Sequence, residues 1–234
     1  MKKIFSVYFV FFVSSFMWAQ EINQFDADGK RHGIWKKNFD NTKILRYEGA
    51  FNHGKETGLF KFYTNYKNKA VLSATKLFDE KTGIADVKFL TSSGKVISEG
   101  QMNGKAHIGT WKYYQKHSDK ILTLETYDST GELIGERLVY FPNGKVAERK
   151  NYVNGKLEGK AYSYTERGVV LSESHYENGE LHGPYKSYDT KGQLVSEGVF
   201  KRGKKEGIWK FYKNGKLTDE KNFSYVPKRT KKTP

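Results

Sequence analysis

Glutamates recur along the chain at a spacing that could place carboxylates side by side. They are Glu48, Glu99, Glu148, Glu173 and Glu197. Two carboxylates that flank a glycosidic bond can act as acid and base in glycan cleavage. A column of glutamates that faces lysine or arginine on neighbouring strands is the simpler interpretation, because opposite charges on opposed strands stabilise a sheet. The spacing therefore favours a structural role for these carboxylates.

The remaining reactive residue types predict no catalytic, metal or cofactor site. The histidines are His32, His53, His107, His117, His175 and His182, and three of them directly precede glycines of a repeat rather than converging. Cysteine is absent, which excludes disulfides and thiol chemistry. No zinc-protease, nucleophile-elbow or phosphate-loop motif occurs. We therefore expect no enzyme.

Regularly spaced tyrosines and lysines form a candidate binding surface. Alternate residues of a strand point to opposite faces, so Trp209 and Phe211 share one face while Lys210 and Tyr212 share the other. Tyrosine beside lysine suits sugars, anionic lipids or an extended peptide, and packing between repeats is the alternative role for the tyrosines. The candidate residues are Tyr114, Tyr140, Tyr164, Tyr188, Tyr212, Lys112, Lys186 and Lys210.

These residues recur because the chain is an internal repeat of 24 to 26 residues. A glycine marks each copy, at Gly33, Gly58, Gly83, Gly109, Gly135, Gly159, Gly183 and Gly207. Two positions later the residue is aromatic in five of eight copies, including Trp35, Trp111 and Trp209. We interpret these glycines and tryptophans as structural residues that hold one repeat on the next.

Each repeat reads as a β-hairpin. Residues 207–212 have the aromatic and β-branched content of a strand, and Asn214-Gly215 predicts a tight turn. Turns between repeats are predicted at Asn103-Gly104, Asn154-Gly155, Asn178-Gly179 and Arg202-Gly203. The predicted fold is all-β, an elongated single-layer antiparallel meander of about eight hairpins and sixteen strands over residues 21–225.

Two segments depart from the repeat. The copy at Gly83 carries Ala85 and Lys88 at the aromatic positions, which predicts a bend or a loosely packed rung. Residues 63–73 are rich in polar side chains, which predicts a longer hairpin loop.

The composition limits both the core and the partner. Hydrophobic residues make up 37% of 234 residues and aromatic residues 15%, so stability must come from aromatic rings stacked between repeats. The formal charge of +15 predicts attraction to an anionic partner, or lysines that protect exposed strand edges.

The two ends predict export and a solvated tail. Residues 1–20 combine Lys2 and Lys3 with an apolar stretch too short to span a membrane stably, which is typical of a signal peptide. An uncleaved anchor is the alternative. We expect a periplasmic, cell-surface or secreted protein that has no transmembrane span after cleavage and does not bind nucleic acid. Residues 226–234 predict a disordered basic tail or an electrostatic tether.

Two stretches carry a family resemblance. Residues 47–58, YEGAFNHGKETG, resemble the MORN repeat pattern YxGxxxxGxxxG, and residues 196–207 match it apart from serine for tyrosine. The 24-residue period and the NGKL phrases at Asn154 and Asn214 are similar to the bacterial variant found in YwqK-family antitoxins. The resemblance implies a hairpin array that binds other molecules and performs no chemistry. Residues 109–114 and 207–216 also resemble choline- and glucan-binding repeats.

The sequence thus predicts an exported, non-enzymatic repeat scaffold that binds another macromolecule, with protein as the first choice. The alternative is a cell-envelope module that binds polysaccharide or anionic lipid headgroups. A glycan-cleaving enzyme is the third hypothesis.

Overall fold

The computed structural model describes residues 21–224, and every element of regular secondary structure in that range is a β-strand. They are β1 Gln24–Phe25, β2 Arg31–Asn38, β3 Leu45–Asn52, β4 Lys55–Tyr66, β5 Lys69–Phe78, β6 Ile84–Leu90, β7 Val96–Asn103, β8 Ala106–Tyr114, β9 Ile121–Tyr127, β10 Leu133–Tyr140, β11 Val146–Val153, β12 Lys156–Leu157, β13 Gly159–Tyr164, β14 Val170–Glu177, β15 Glu180–Leu181, β16 Gly183–Tyr188, β17 Leu194–Lys201, β18 Lys204–Lys213 and β19 Lys216–Asn222. The predicted signal peptide and basic tail lie outside the described residues. Residues 21–224 contain no helix long and apolar enough to cross a membrane.

Consecutive strands pair antiparallel in one open sheet, which confirms the predicted all-β meander. The count of nineteen agrees with the sixteen expected strands, because β12 with β13 and β15 with β16 are single strands interrupted at Glu158 and His182, and β1 is a two-residue addition.

Two-residue turns join many of the strands. At Asn154-Gly155, Asn178-Gly179, Arg202-Gly203 and Asn214-Gly215 both residues have positive φ, as type I′ turns require, so these four predictions are confirmed. The turn predicted at Asn103-Gly104 is wrong by one residue. Asn103 pairs with Ala106, so the turn is Gly104-Lys105. Gly104 has φ 58°, and a type II′ turn needs positive φ at its first central residue only.

Residues 63–73 form strands rather than the predicted longer loop. Tyr63 lies opposite Leu72 and Tyr66 opposite Lys69, so the β4–β5 hairpin is extended and closes in the two-residue turn Lys67-Asn68. Both turn residues adopt positive φ, at 48° and 59°. The polar side chains on this stretch therefore mark exposed strand residues.

The repeat glycines produce a bulge where one hairpin meets the next. At the β3–β4 junction Glu48 lies opposite Lys61 and Ala50 opposite Thr57, so Gly49 alone faces residues 58–60. Gly58 has φ 61°, a conformation that glycine adopts at little cost.

Gly83 is an exception, and its repeat was misaligned in the prediction. β5 and β6 pair without a register shift, and Gly83 lies in the connection between Asp79 and Ile84. Val87, opposite Gly100, therefore occupies the place that Trp35 takes opposite Gly49. The prediction of a bend or loosely packed rung is wrong, because Ala85 and Val87 are each only 1% exposed and pack with Met102 and Trp111.

Aromatic rings on one face connect neighbouring hairpins. Phe51 meets Phe60 edge to face at 5.2 Å, and Phe60 meets Phe78 at 5.3 Å. Phe200 meets Trp209 at 5.0 Å in the same arrangement. Trp111 and Trp209 are buried and Trp35, in the first hairpin, is half-buried.

Candidate binding surface

One line of opposed side chains crosses nearly the whole sheet, and we call it the charged row. Each member lies directly opposite the next on the neighbouring strand. The members in order are Lys36, Glu48, Lys61, Thr75, Lys88, Glu99, Lys112, Leu124, Leu138, Arg149, Tyr162, Glu173, Lys186, Glu197, Lys210 and Glu220. The predicted alternation of glutamate with lysine across strands is confirmed at both ends of this row. The prediction is wrong for Glu148, which lies outside the row, opposite Val139 and Ser163.

Two carboxylates of the charged row form ion pairs with lysines on neighbouring strands. Glu48 lies 3.4 Å from the ammonium of Lys36 and 3.6 Å from that of Lys61. Glu99 lies 3.6 Å from the ammonium of Lys88. This arrangement fixes the register between strands, since a slip would oppose like charges.

The three candidate lysines all lie in this row and are exposed. Lys112 is opposed by Glu99 and Leu124. Lys186 is opposed by Glu173 and Glu197, and Lys210 by Glu197 and Glu220. Each of the three therefore has at least one glutamate on a neighbouring strand, but within residues 21–224 none of their ammonium groups forms an ion pair.

Three of the five candidate tyrosines donate a hydrogen bond to a glutamate of the charged row. Tyr114 donates to Glu99 at 2.5 Å, Tyr188 to Glu173 at 3.1 Å and Tyr212 to Glu197 at 2.7 Å. Tyr63 makes the same bond to Glu48 at 2.8 Å, and sequence reasoning left it out of the candidate set. The signal for it was present, because in all four pairs the tyrosine follows its glutamate by 15 residues.

Tyr140 and Tyr164 differ from the other three. Where the other hairpins have the accepting glutamate, the charged row has Leu124, opposite Leu138, and Arg149, opposite Tyr162. Within residues 21–224 the phenols of Tyr140 and Tyr164 therefore have no hydrogen-bond partner. All five tyrosines are half-buried. Tyr140 and Tyr164 therefore offer their hydroxyls for bonding to another molecule.

Ionisation in this surface is shifted away from neutral pH. Burial and the bond to Glu48 raise the pKa of Tyr63 to about 12, and the bond to Glu99 with burial raises the pKa of Tyr114 to about 12. The bond from Tyr63 and the nearby Lys36 hold the pKa of Glu48 below its usual value. General acid–base catalysis needs groups that titrate near the working pH, so these pairs suit binding better than proton transfer.

A line of tyrosines and aliphatic residues borders the charged row, and we call it the tyrosine–aliphatic row. Its opposed pairs are Tyr63–Leu72, Leu90–Val96, Tyr114–Ile121, Tyr140–Val146, Tyr164–Val170, Tyr188–Leu194 and Tyr212–Leu217. Every one of these hairpins has a register shift at this point, which leaves one residue unpaired in the ladder. Ile97, Leu122 and Val195 occupy such bulges and are 38% to 43% exposed.

A protein-family model described as "MORN repeat variant" matches part of the chain. It matches three consecutive segments, residues 133–154, 157–178 and 181–202. Those three units are MORN repeats. The resemblance seen in the sequence is thereby confirmed for this part of the chain. Residues 47–58 lie outside the match but have the same strand pairing, because Glu48 lies opposite Lys61 as Glu197 lies opposite Lys210. A search of curated proteins finds no match to the chain.

The first glycine of the MORN pattern accommodates an aromatic ring on the other face. A Cβ added to Gly49, Gly100 or Gly198 would lie 2.4 to 2.5 Å from ring atoms of Phe60, Trp111 or Trp209. Sequence reasoning did not include these glycines among the site or structural residues. In each case the ring follows the glycine by 11 residues.

Between β9 and β10 a polar cluster replaces this contact. The guanidinium of Arg137 donates to Glu125 at 2.8 Å, and Tyr127 donates to Glu125 at 2.6 Å. Burial alone would raise the pKa of Glu125, but these bonds lower it overall. His107 stacks on Trp111 at 3.7 Å, and burial lowers its pKa. The cluster is a partly buried ion pair between two hairpins.

Shallow hollows, rather than a deep pocket, line the charged face in the described range. The largest measures about 400 Å³ and has Gly49 at its base, with Lys36, Glu48, Lys61 and Leu59 around it. Within residues 21–224 no group of three or more histidine and acidic side chains could hold a metal ion.

Proposed function

We propose that this protein is an exported, non-enzymatic scaffold that binds another protein through the tyrosine–aliphatic row. The observation that carries the proposal is the continuity of this row over seven hairpins, with exposed apolar residues beside it and two phenols that have no partner within residues 21–224. Export rests on the signal peptide predicted for residues 1–20.

The chemistry of the row supports a protein partner. Tyrosines and aliphatic side chains make up the centres of protein interfaces, where aromatic residues are enriched and charged residues depleted. The lysines of the charged row, which lie beside it, lie between glutamates in much of the row and can serve as the polar margin. A partner that contacts several hairpins gains from many modest contacts at once.

The second candidate is a cell-envelope module for polysaccharide or anionic lipid, and the +15 formal charge favours it. The resemblance to YwqK-family antitoxins adds a more specific protein partner, a toxin. Such a toxin would have to act where the exported scaffold is located.

Affinity capture from envelope extract tests the proposal at low and physiological salt. We expect wild-type protein to retain a defined protein at both salt concentrations, and the Tyr140→Ala/Tyr164→Ala variant to lose it. Val153→Ala is the control, because Val153 is exposed at the opposite end of the strands. Both variants must keep the wild-type circular dichroism spectrum.

Two results would contradict the proposal. One is equal capture by the wild type and the tyrosine variant. The other is retention on vesicles or acidic glycans that salt abolishes, with no protein recovered, because screening acts on exposed charges and leaves an apolar interface intact.

A further inference from the structure

Asparagine is followed directly by glycine at five places in the described part of the chain. The pairs are Asn103-Gly104, Asn143-Gly144, Asn154-Gly155, Asn178-Gly179 and Asn214-Gly215. Such a pair can lose ammonia from the asparagine, because glycine has no side chain to hinder attack of its backbone nitrogen on the asparagine Cγ. In a folded protein the reaction depends on what holds the glycine N–H and on how readily the turn opens.

Two of these turns hold the glycine N–H in a hydrogen bond. Gly155 donates to the carbonyl of Leu133 at 3.0 Å, and Gly179 donates to that of Leu157 at 2.9 Å. Each acceptor lies on the strand before the one that enters the turn. The nitrogen must therefore leave this bond before it can lose its proton and react.

Two further pairs are held in other ways. The N–H of Gly144 donates to the carbonyl of Phe141 at 2.8 Å. The side-chain amide of Asn143 donates to the carbonyl of Glu166 at 2.9 Å, which fixes the position of the carbon that would be attacked. Asn103 lies within β7, which pairs with β6 on one side and β8 on the other. Both pairs therefore sit in backbone with neighbours on each side.

The Asn214-Gly215 turn has the same backbone conformation as the held turns but lacks their protection. Asn214 and Asn178 both have φ 52°, and the glycine that follows each also has positive φ. Within residues 21–224 the N–H of Gly215 has no hydrogen-bond acceptor. The strand that leaves this turn, β19, pairs with β18 alone in that range, and all of its residues are exposed. A terminal unit with one neighbour opens more readily than an interior unit.

Side chains that fasten earlier connections do not extend to this turn. Lys145 donates to the carbonyl of Arg167 at 3.0 Å, and the guanidinium of Arg167 donates to the carbonyl of Thr190 at 3.1 Å. These bonds link connections at the same end of the strands as residues 214–215. Within residues 21–224 no side-chain hydrogen bond reaches residues 214–215. The last connection is therefore held only by its own hairpin.

We propose that Asn214 is a deamidation site of the folded protein, with water as the co-reactant. The Gly215 nitrogen loses its proton and forms a bond to Cγ of Asn214, while the bond from Cγ to the side-chain nitrogen breaks. That nitrogen takes up a proton and leaves as ammonia, which closes a succinimide ring. Water then adds to one of the two ring carbonyls and breaks its bond to nitrogen. Attack at the side-chain carbonyl gives aspartate and attack at the backbone carbonyl gives isoaspartate, with no oxidation or reduction.

Isoaspartate at position 214 would change the last hairpin. It adds one carbon atom to the main chain inside a turn that aligns Lys213 with Lys216 and Tyr212 with Leu217. Those pairs cannot keep their register around a longer turn, so β19 should separate from β18 more often. Tyr140 and Tyr164 lie in other hairpins, and the proposed scaffold function does not depend on this modification.

Peptide mass spectrometry of purified protein incubated at mildly alkaline pH tests the site, with fragmentation that distinguishes isoaspartate from aspartate. Asn214 should be modified about tenfold faster than Asn154, its matched control, because both are followed by glycine and lysine. A tenfold difference corresponds to about 1.4 kcal/mol in the opening of the turn, which is the size expected for one hydrogen bond. In guanidinium chloride the two rates should converge, because unfolding removes the structural difference.

Hydrogen exchange tests the structural consequence. Exchange at residues 216–222 should quicken in the isoaspartate form and stay near the wild-type rate in Asn214→Asp. The aspartate variant carries the same new charge but keeps the length of the main chain, and aspartate tolerates positive φ. The comparison therefore separates the effect of the added carbon from the effect of the charge.

Four results would overturn the proposal. The first is equal modification of Asn214 and Asn154 in the folded protein, and the second is faster modification of Asn103 or Asn143. The third is a difference between Asn214 and Asn154 that persists in guanidinium chloride, because local sequence rather than structure would then set the rates. The fourth is exchange at residues 216–222 that is the same in the isoaspartate form as in the wild type.

Discussion

The ring of Trp209 lies against the backbone of Gly198, so closely that a Cβ on residue 198 would come within 2.4 Å of the ring. At most of the other junctions between hairpins, the residues at these two positions differ from glycine and tryptophan, and they differ together. The pairs are Gly49 with Phe60, Gly100 with Trp111, Lys76 with Val87, Lys150 with Ala161, Ser174 with Tyr185 and Glu125 with Arg137. Each interface between hairpins is therefore matched in size or charge, which specifies the order in which repeats stack.

Gly198→Ala should destabilise the protein by about 1–3 kcal/mol, because the added methyl group forces the Trp209 ring out of a packed position. Gly198 does not adopt positive φ, so backbone strain does not contribute. Urea unfolding measures the change. In the Trp209→Val background the same alanine substitution should cost less, because the smaller side chain leaves room for the methyl group. Wild-type stability of Gly198→Ala alone would show that the ring is not constrained.

Arg137→Ala should destabilise the protein by about 2 kcal/mol, because it leaves Glu125 partly buried without its cation. Glu125→Gly/Arg137→Trp installs the pair found at Gly100 and Trp111 and should restore stability. A double-mutant cycle in urea measures the coupling. Additive effects of the two substitutions would contradict a matched interface.

Acid should weaken the array through Glu48 and Glu125. Both have a folded pKa below the ordinary value of 4.5, so their contribution to stability is present above that pH and is lost as the pH falls through the folded pKa. Thermal unfolding between neutral and acidic pH checks this. The loss should be smaller in Glu48→Gln/Glu125→Gln, and an unchanged pH profile in that variant would assign acid unfolding to other groups.

The phenol of Tyr114 should titrate at about pH 12 in the folded protein. Because the folded pKa is above the ordinary 10.0, this bond stabilises the fold fully below pH 10 and loses its effect as the pH rises toward 12. Glu99→Gln should lower the pKa of Tyr114 toward the ordinary value, as ultraviolet difference absorbance can show. An unchanged titration in that variant would mean that burial alone sets the pKa.

Lys145→Met should loosen the connection between β13 and β14 with little change in overall stability. It removes the bond to the carbonyl of Arg167, and an exposed bond contributes about 1 kcal/mol or less. Hydrogen exchange should quicken at residues 165–169 and stay the same at residues 189–193. Lys156→Met, beside a turn at the opposite end of the strands, should leave both segments unchanged. Equal protection in all three proteins would contradict the role of Lys145 in holding the connection at residues 165–169.

Much of the fold could be predicted because glycine and asparagine mark turns by backbone chemistry that does not depend on distant contacts. The failures have the same origin. Gly83 in a connection and Gly58 in a bulge both need positive φ, so the sequence does not distinguish them, and the repeat around Val87 was misaligned by two residues. Lys67 and Asn68 close a tight turn without glycine, so the extended hairpin looked like a loop.

The candidate site was predicted in part for a related reason. Spacing along the chain identifies which residues share a column, and it placed Lys112, Lys186 and Lys210 in one row. It does not reveal which hydroxyl reaches which carboxylate across a hairpin, as Tyr63 does with Glu48.

Site-specific photo-crosslinking tests the central claim most directly. In cells that produce the protein naturally, a photoreactive phenylalanine analogue replaces Tyr140, which makes no bond to the charged row. In a second variant it replaces Val153, at the opposite end of the strands. The scaffold function predicts a covalent adduct with one protein from position 140 and none from position 153. Adducts with lipid or glycan alone, or equal protein adducts from both positions, would contradict it.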